Sequence, residues 1–179
     1  MDGTSWTCRH CGEAHPGVPD GLGFEHPDYL YAVPEREWGR RVRFRPDRCI
    51  VDDEHFFILA NLEIPVRGRE APFLWSVWSS LSRKNFERTE SLWSTPGRES
   101  EPPCFGWLNS ALPGYPDTVN LKCRIHTREV GIRPWVELEP TDHPLAVDQR
   151  EGMSEERLRE ILGPYLCRPL TPPGSSRPG

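Results

Sequence analysis

Apolar and polar residues alternate along four stretches of the chain, and each predicts a strand. Phe56, Ile58, Ala60, Leu62 and Ile64 line one face of the first. Pro65 ends it or sets it at an edge, because proline cannot donate to a ladder. Phe73, Trp75, Val77 and Leu81 form a second set, and Trp78 on the opposite face predicts a strand covered on both sides. In 119–127, Val119, Leu121, Cys123 and Ile125 face one way, and Asn120, Lys122, Arg124 and His126 face the other. A fourth strand is expected near 132–139, with Val136 and Leu138 inward and Trp135, Glu137 and Glu139 outward.

Helical signals are fewer. Pro34-Glu35-Arg36-Glu37 reads as a short helix start, with proline in the first turn and acids at the positive end. Ser82 caps a predicted helix to about Trp93 that buries Phe86 and Trp93. Ser154 caps another to about residue 162, with Glu155 and Glu156 in its first turn and Leu158, Ile161, Leu162 and Tyr165 as its stripe. Gly163-Pro164 is expected to end or distort it.

Strands in series with helices at intervals predict an α+β fold. The expected form is a mostly antiparallel sheet with helices packed on one face and a zinc-braced, loop-rich N-terminal lobe. Residues 1–167 are expected to form one domain, with 1–34 as that lobe, and 168–179 to form a disordered tail. Hydrophobic residues make up only 36% of the 179 positions, but seven Trp and seven Phe supply large rings for a core. The net charge of −5 disfavours general binding to nucleic acid or anionic membranes. No apolar run reaches membrane-spanning length and no secretory leader is visible, so a cytoplasmic protein is expected.

The sharpest chemical signal is Cys8-Arg9-His10-Cys11-Gly12-Glu13-Ala14-His15. Two thiols two residues apart on a tight turn can both enter one tetrahedral zinc shell. Cys49, ahead of the first long strand, completes an expected set of Cys8, Cys11, His15 and Cys49. Four protein ligands fill such a shell, which is the structural rather than the catalytic arrangement. His10 is the rival imidazole. A redox reading is disfavoured because no strand is predicted before the motif.

Several blocks resemble a known bacterial family, catalogued as domain of unknown function 2199. They are Cys8-x-x-Cys11-Gly12-x-x-His15, Arg48-Cys49-Ile50-Val51-Asp52, Phe56-Phe57-Ile58, Leu62-Glu63-Ile64-Pro65-Val66, Phe105-Gly106-Trp107-Leu108, Leu112-Pro113-x-Tyr115-Pro116-Asp117-Thr118 and Leu138-Glu139-Pro140-Thr141-Asp142-His143-Pro144-Leu145-Ala146. The resemblance runs from about residue 8 to 166 and implies one domain, with Cys49 joined to the knuckle. It implies no activity. Cys104 departs from the aromatic residue expected there and is set aside as a ligand.

Three further groups bear on function. The polar face of Lys122, Arg124, His126, Trp135, Glu137, Glu139 and His143 is the expected contact surface for a protein partner. The same histidines and carboxylates, His126, Glu137, Glu139 and His143, would serve a metal- or histidine-dependent enzyme. The cluster of Arg36, Arg40, Arg41, Arg43, Arg45 and Arg48 offers a phosphate or nucleic-acid surface, with Arg41, Arg43 and Arg45 on one face. The plainer reading of that cluster is a solvated face balanced by Glu35, Glu37, Asp47, Asp52 and Asp53.

Overall fold

In the computed structural model, which describes residues 5–167, the chain opens with a short hairpin of β1 (Ser5–Thr7) and β2 (Ala14–Pro16). Then come β3 (Gly21–Gly23), a 3₁₀ helix at Asp28–Ala32, α1 (Glu35–Arg41), β4 (Val42–Arg45) and β5 (Arg48–Val51). The central strands are β6 (His55–Ile64) and β7 (Phe73–Leu81). After them come α2 (Arg83–Ser91), β8 (Cys104–Leu108), β9 (Lys122–His126), β10 (Trp135–Leu138), α3 (Pro144–Glu151) and α4 (Glu155–Leu166). The tail expected over 168–179 lies outside the described residues.

The fold is α+β, but the sheet does not stay open. β6 pairs antiparallel with β7 from Phe56 opposite Leu81 to Ile64 opposite Phe73. The meander continues antiparallel through β8, β9 and β10. β10 then returns parallel to β6, with Trp135 opposite Asn61 and Val136 opposite Leu62. Five strands thereby close into a barrel, where the sequence pattern led to a mostly antiparallel sheet with helices packed on one face. Strand length permits this. The ten residues of β6 take β5 along their first half and β10 along their second, on the edge away from β7. β4 extends the sheet beyond β5, and β3 lies parallel on β7 beside β8.

Alternation on β6 and β7 feeds two separate cores. Phe56, Ile58, Leu62 and Ile64 face the barrel interior with Phe73, Trp75, Val77, Leu108, Ile125 and Val136. Helices add Phe86, Leu145, Leu158, Ile161 and Leu162 to the same cluster. On the outer face, Phe57, Leu59 and Trp78 pack with Leu30, Val33, Cys49 and Val51. Trp78 is fully buried, and its Nε1 donates to the Phe24 carbonyl at 3.0 Å. The strand is covered on both sides, as its sequence predicted. Each large apolar side chain so buried contributes about 1.5–3 kcal/mol.

The predicted caps form. Ser82 accepts from the Asn85 N–H and Ser154 from the Arg157 N–H, each at 3.2 Å. Other boundaries differ. The strand expected from 119 starts only at Lys122, because Asn120 adopts a left-handed φ of 67° in a turn. The strand expected near 132–139 contracts to 135–138. α4 does not stop at Gly163-Pro164 but runs to Leu166, and the Cys167 N–H donates to the Gly163 carbonyl at 3.0 Å. α3 was not foreseen. Its cap is the Nδ1 of His143, which accepts from the Leu145 N–H at 3.2 Å, with Pro144 in the first turn.

Two buried polar groups fix the connections. Asp148 accepts from the Tyr115 hydroxyl at 2.9 Å and from Arg157 Nε at 2.8 Å, tying the 112–118 loop to α3 and α4. Arg98 is 3% exposed and donates to the carbonyls of Trp93, Arg128, Glu129 and Ile132, which shapes the β9–β10 connection. Among the described residues no helix is long and apolar enough to cross a membrane.

Gly106 sits where β8 meets β7, and an added Cβ would stand 2.8 Å from the Ser80 carbonyl oxygen and 3.3 Å from Leu81 Cδ2. Gly106→Ala is therefore expected to destabilise the fold by about 1–3 kcal/mol, read as a lower denaturant midpoint. An unchanged midpoint would contradict this close strand approach.

Candidate metal centre and contact surface

The Cys-x-x-Cys motif forms the turn of the β1–β2 hairpin. Thr7 pairs with Ala14 and Trp6 with His15. The Cys8 N–H donates to the Glu13 carbonyl and the Gly12 N–H to the Cys8 carbonyl, each at 2.8 Å. Gly12 has a φ of 76°, which a side chain would resist. The turn thus points Cys8 and Cys11 the same way while β2 carries His15 alongside. A short strand does precede the motif, contrary to expectation, but the turn leads into β2 and not into a helix, so the usual redox arrangement is absent here.

The fourth donor is Cys167, just past the end of α4. The Sγ atoms of Cys8, Cys11 and Cys167 and the imidazole of His15 lie within 4.8 Å of one another. Cys8 Sγ is 3.3 Å from Cys167 Sγ, and His15 Nε2 is 3.3 Å from Cys11 Sγ and 3.4 Å from Cys167 Sγ. A tetrahedral zinc shell with bonds of about 2.3 Å to sulfur and about 2.0 Å to nitrogen has S···S edges of about 3.8 Å and S···N edges of about 3.6 Å. Small side-chain adjustments bring the four donors to those edges, and three thiols with one imidazole are a zinc-type set. The residues present therefore fit such an ion.

Electrostatics agree. Burial pushes the Cys8 thiol up. Hydrogen bonds from the backbone of Cys11 and His10 and from neighbouring thiols outweigh that, leaving Cys8 below the ordinary thiol range. Burial and the nearby Cys11 and Cys8 push Cys167 up to about 12. Thiols this close resist ionising together unless a cation sits among them.

α4 is seated on the hairpin. A Cβ on Gly163 would stand 3.3 Å from Cys8 Sγ and 3.8 Å from His10 Cβ, so glycine lets the helix touch the knuckle. Arg9 reaches Glu156 at 2.7 Å and Glu160 at 3.2 Å, exposed pairs worth about 0–1 kcal/mol. Arg159 lies 5.6 Å from the Trp6 ring centroid.

Cys49, expected as the fourth ligand, lies elsewhere. It is fully buried in the outer apolar cluster, and that burial pushes its thiol up to about 12. Cys167 takes its place because α4 passes through Pro164 and delivers its own cap residue to the knuckle. The only sequence signal was one more cysteine after an amphipathic helix. His15, and not His10, supplies the imidazole.

The polar face predicted for a partner lies on the outside of β8, β9 and β10. A cavity of about 550 Å³ is lined by Phe105, Lys122, Arg124, Glu137, Glu139 and Thr141, among others. Register sets Phe105, Arg124 and Glu137 in one row across three strands, and Trp107 beside Lys122. Lys122 Nζ is 3.8 Å from Glu139. Arg124 makes no ion pair among the described residues. His126 Nε2 lies 2.8 Å from Glu137 Oε2, and its ring stacks on Trp135 at 4.2 Å and 15°. Trp135 is thus partly covered, and the open aromatics are Phe105 and Trp107, 49% and 39% exposed. The sequence pattern missed them because β8 turns its aromatics outward and a glycine inward.

Of the four residues that would serve an enzyme, His126 meets Glu137, and Glu137 and Glu139 line the cavity. Neither histidine lines the cavity, and His143 is committed to capping α3. The arginine cluster is largely neutralised. Arg41 holds Asp52 at 2.6 Å and Glu37 at 2.9 Å, and Arg43 pairs with Asp53. Arg36 and Arg40 lie 3.8 and 3.7 Å from Glu37, and Arg48 pairs with Glu90 at 3.0 Å. Arg45 is exposed at the end of β4. Arg41 belongs to α1, so it does not share a strand face with Arg43 and Arg45.

Residues 7–153 match the model of a family described as an uncharacterised protein conserved in bacteria, domain of unknown function 2199. The knuckle and Cys49 fall inside that stretch, and Cys167 falls beyond it. No curated protein and no solved structure matches the chain.

Elemental analysis of protein purified without chelator is expected to find about one zinc per chain. Cys167→Ser should lose most of it. Cys49→Ser should keep it while losing about 1–3 kcal/mol of stability for a hydroxyl placed in an apolar cluster. Loss of metal from Cys49→Ser but not from Cys167→Ser would reverse the ligand assignment.

Proposed function

We propose that this chain, which belongs to the bacterial family of domain of unknown function 2199, is a metal-braced protein-interaction module. Zinc held by Cys8, Cys11, His15 and Cys167 has a structural role, because four protein ligands leave no open position for catalysis. The partner docks on the outer face of β8, β9 and β10. One observation carries this reading: Arg124, without an ion pair among the described residues, stands between the open ring of Phe105 and the carboxylate of Glu137, beside a cavity of about 550 Å³. Exposed aromatics next to an unengaged arginine are the residue types that anchor protein interfaces.

Mixed charge favours a protein over a nucleic acid. Glu137 and Glu139 share the cavity with Lys122 and Arg124, and the chain carries −5 overall. The six free cysteines fit a reducing cytoplasm.

A photo-crosslinking residue placed at Phe105 or Arg124 in the native cell is expected to capture a protein that Tyr31 and Tyr165 positions do not. Arg124→Glu should abolish that capture at an unchanged melting temperature. Equal labelling from all four positions would overturn the assignment, and labelling of nucleic acid would support the competing reading.

A further inference from the structure

Of the six cysteines, Cys49 and Cys123 are 0% and 2% exposed, buried in the two apolar cores. Cys104 stands apart, half-buried at the start of β8. The three that remain are gathered at the surface end of the molecule. Cys11 is exposed, Cys167 is partly exposed, and Cys8 is sealed beneath them. Cys8 and Cys167 touch, Sγ to Sγ, at 3.3 Å, shorter than the about 3.8 Å edge of a relaxed tetrahedral sulfur shell. A disulfide needs about 2.0 Å, so the two sulfurs have about 1.3 Å left to close.

We propose that Cys8 and Cys167 are an oxidation site: peroxide links them as a disulfide and thereby dismantles the metal centre. This rests on the metal reading above. Cys167 is the member of the pair that solvent reaches. Cys167, which zinc would hold as a thiolate, attacks hydrogen peroxide, the O–O bond breaks, and Cys167 becomes a sulfenic acid as hydroxide leaves. The Cys8 thiolate then attacks the Cys167 sulfur, the S–S bond forms, and the second hydroxide leaves. Two electrons pass from the two sulfurs to one peroxide, and two protons from solvent turn both hydroxides into water. Two of the four donors are then spent, and Cys11 and His15 alone hold zinc weakly. α4 stays joined to the β1–β2 hairpin, now by a covalent bond, so the barrel is retained.

The full chain, loaded with zinc, is titrated with hydrogen peroxide. A chromogenic chelator follows released zinc, and non-reducing peptide mapping follows the cysteines. Expected are one zinc released per disulfide, a bridge between Cys8 and Cys167, intact thiols at Cys49 and Cys123, and full recovery with dithiothreitol and zinc. Cys11→Ser should still form the same bridge. Zinc that stays bound while oxidant is consumed, or a bridge between Cys8 and Cys11, would overturn the proposal. Protein that carries no zinc before oxidant is added defeats the metal reading alone, and mapping of that sample still decides whether the pair bridges.

Discussion

The pairing of β6 with β7 is the constraint on which everything else hangs. Nine consecutive residue pairs hold the two strands in register, and both faces of the pair are apolar. A shift of one residue would exchange the two faces, sending Ile58 and Leu62 outward and Phe57 and Leu59 into the barrel. The faces differ in what covers them. The inner one meets strands and helices from the second half of the chain, and the outer one meets the segment from Phe24 to Val51. One hairpin therefore organises both halves of the sequence.

Closure of the barrel follows from strand lengths. β6 and β7 outlast any single neighbour, so each edge is shared: β5 and β10 divide one side of β6, and β3 and β8 divide one side of β7. The short strands β8, β9 and β10 bridge the gap between those edges. Their inward residues, Leu108, Cys123, Ile125, Val136 and Leu138, complete the core. Their outward residues are left to the solvent as a row of rings and charges.

Much of this was readable from residue order. Strict alternation located β6 and β7 almost to the residue, and Trp78 announced the double coverage. Serines before polar first turns located α2 and α4. What escaped depended on contacts distant in sequence or on residues with two uses. Parallel return of β10 to β6 joins positions more than seventy apart and leaves no local mark. β8 inverts the usual rule, with Phe105 and Trp107 outside and Gly106 inside, so its pattern does not announce a strand. His143, read both as a candidate for chemistry and as a turn residue bonding nearby backbone, caps α3 with its Nδ1. The Cys/His cluster that could hold a metal was three-quarters legible, because three of its members lie within eight residues and the fourth arrives on a helix that a glycine-proline pair was expected to end or distort.

Cys8 and Cys167 touch although 159 positions separate them along the chain. Nearly the whole described sequence lies between two atoms in contact. Mechanically, a bond at this pair would make the molecule a loop fastened at its neck. A metal–thiolate or disulfide bond at this pair, as proposed above, would bear a pull applied at the two ends before any strand of the barrel is loaded. The same bond would leave both fragments attached after a cut in an exposed turn.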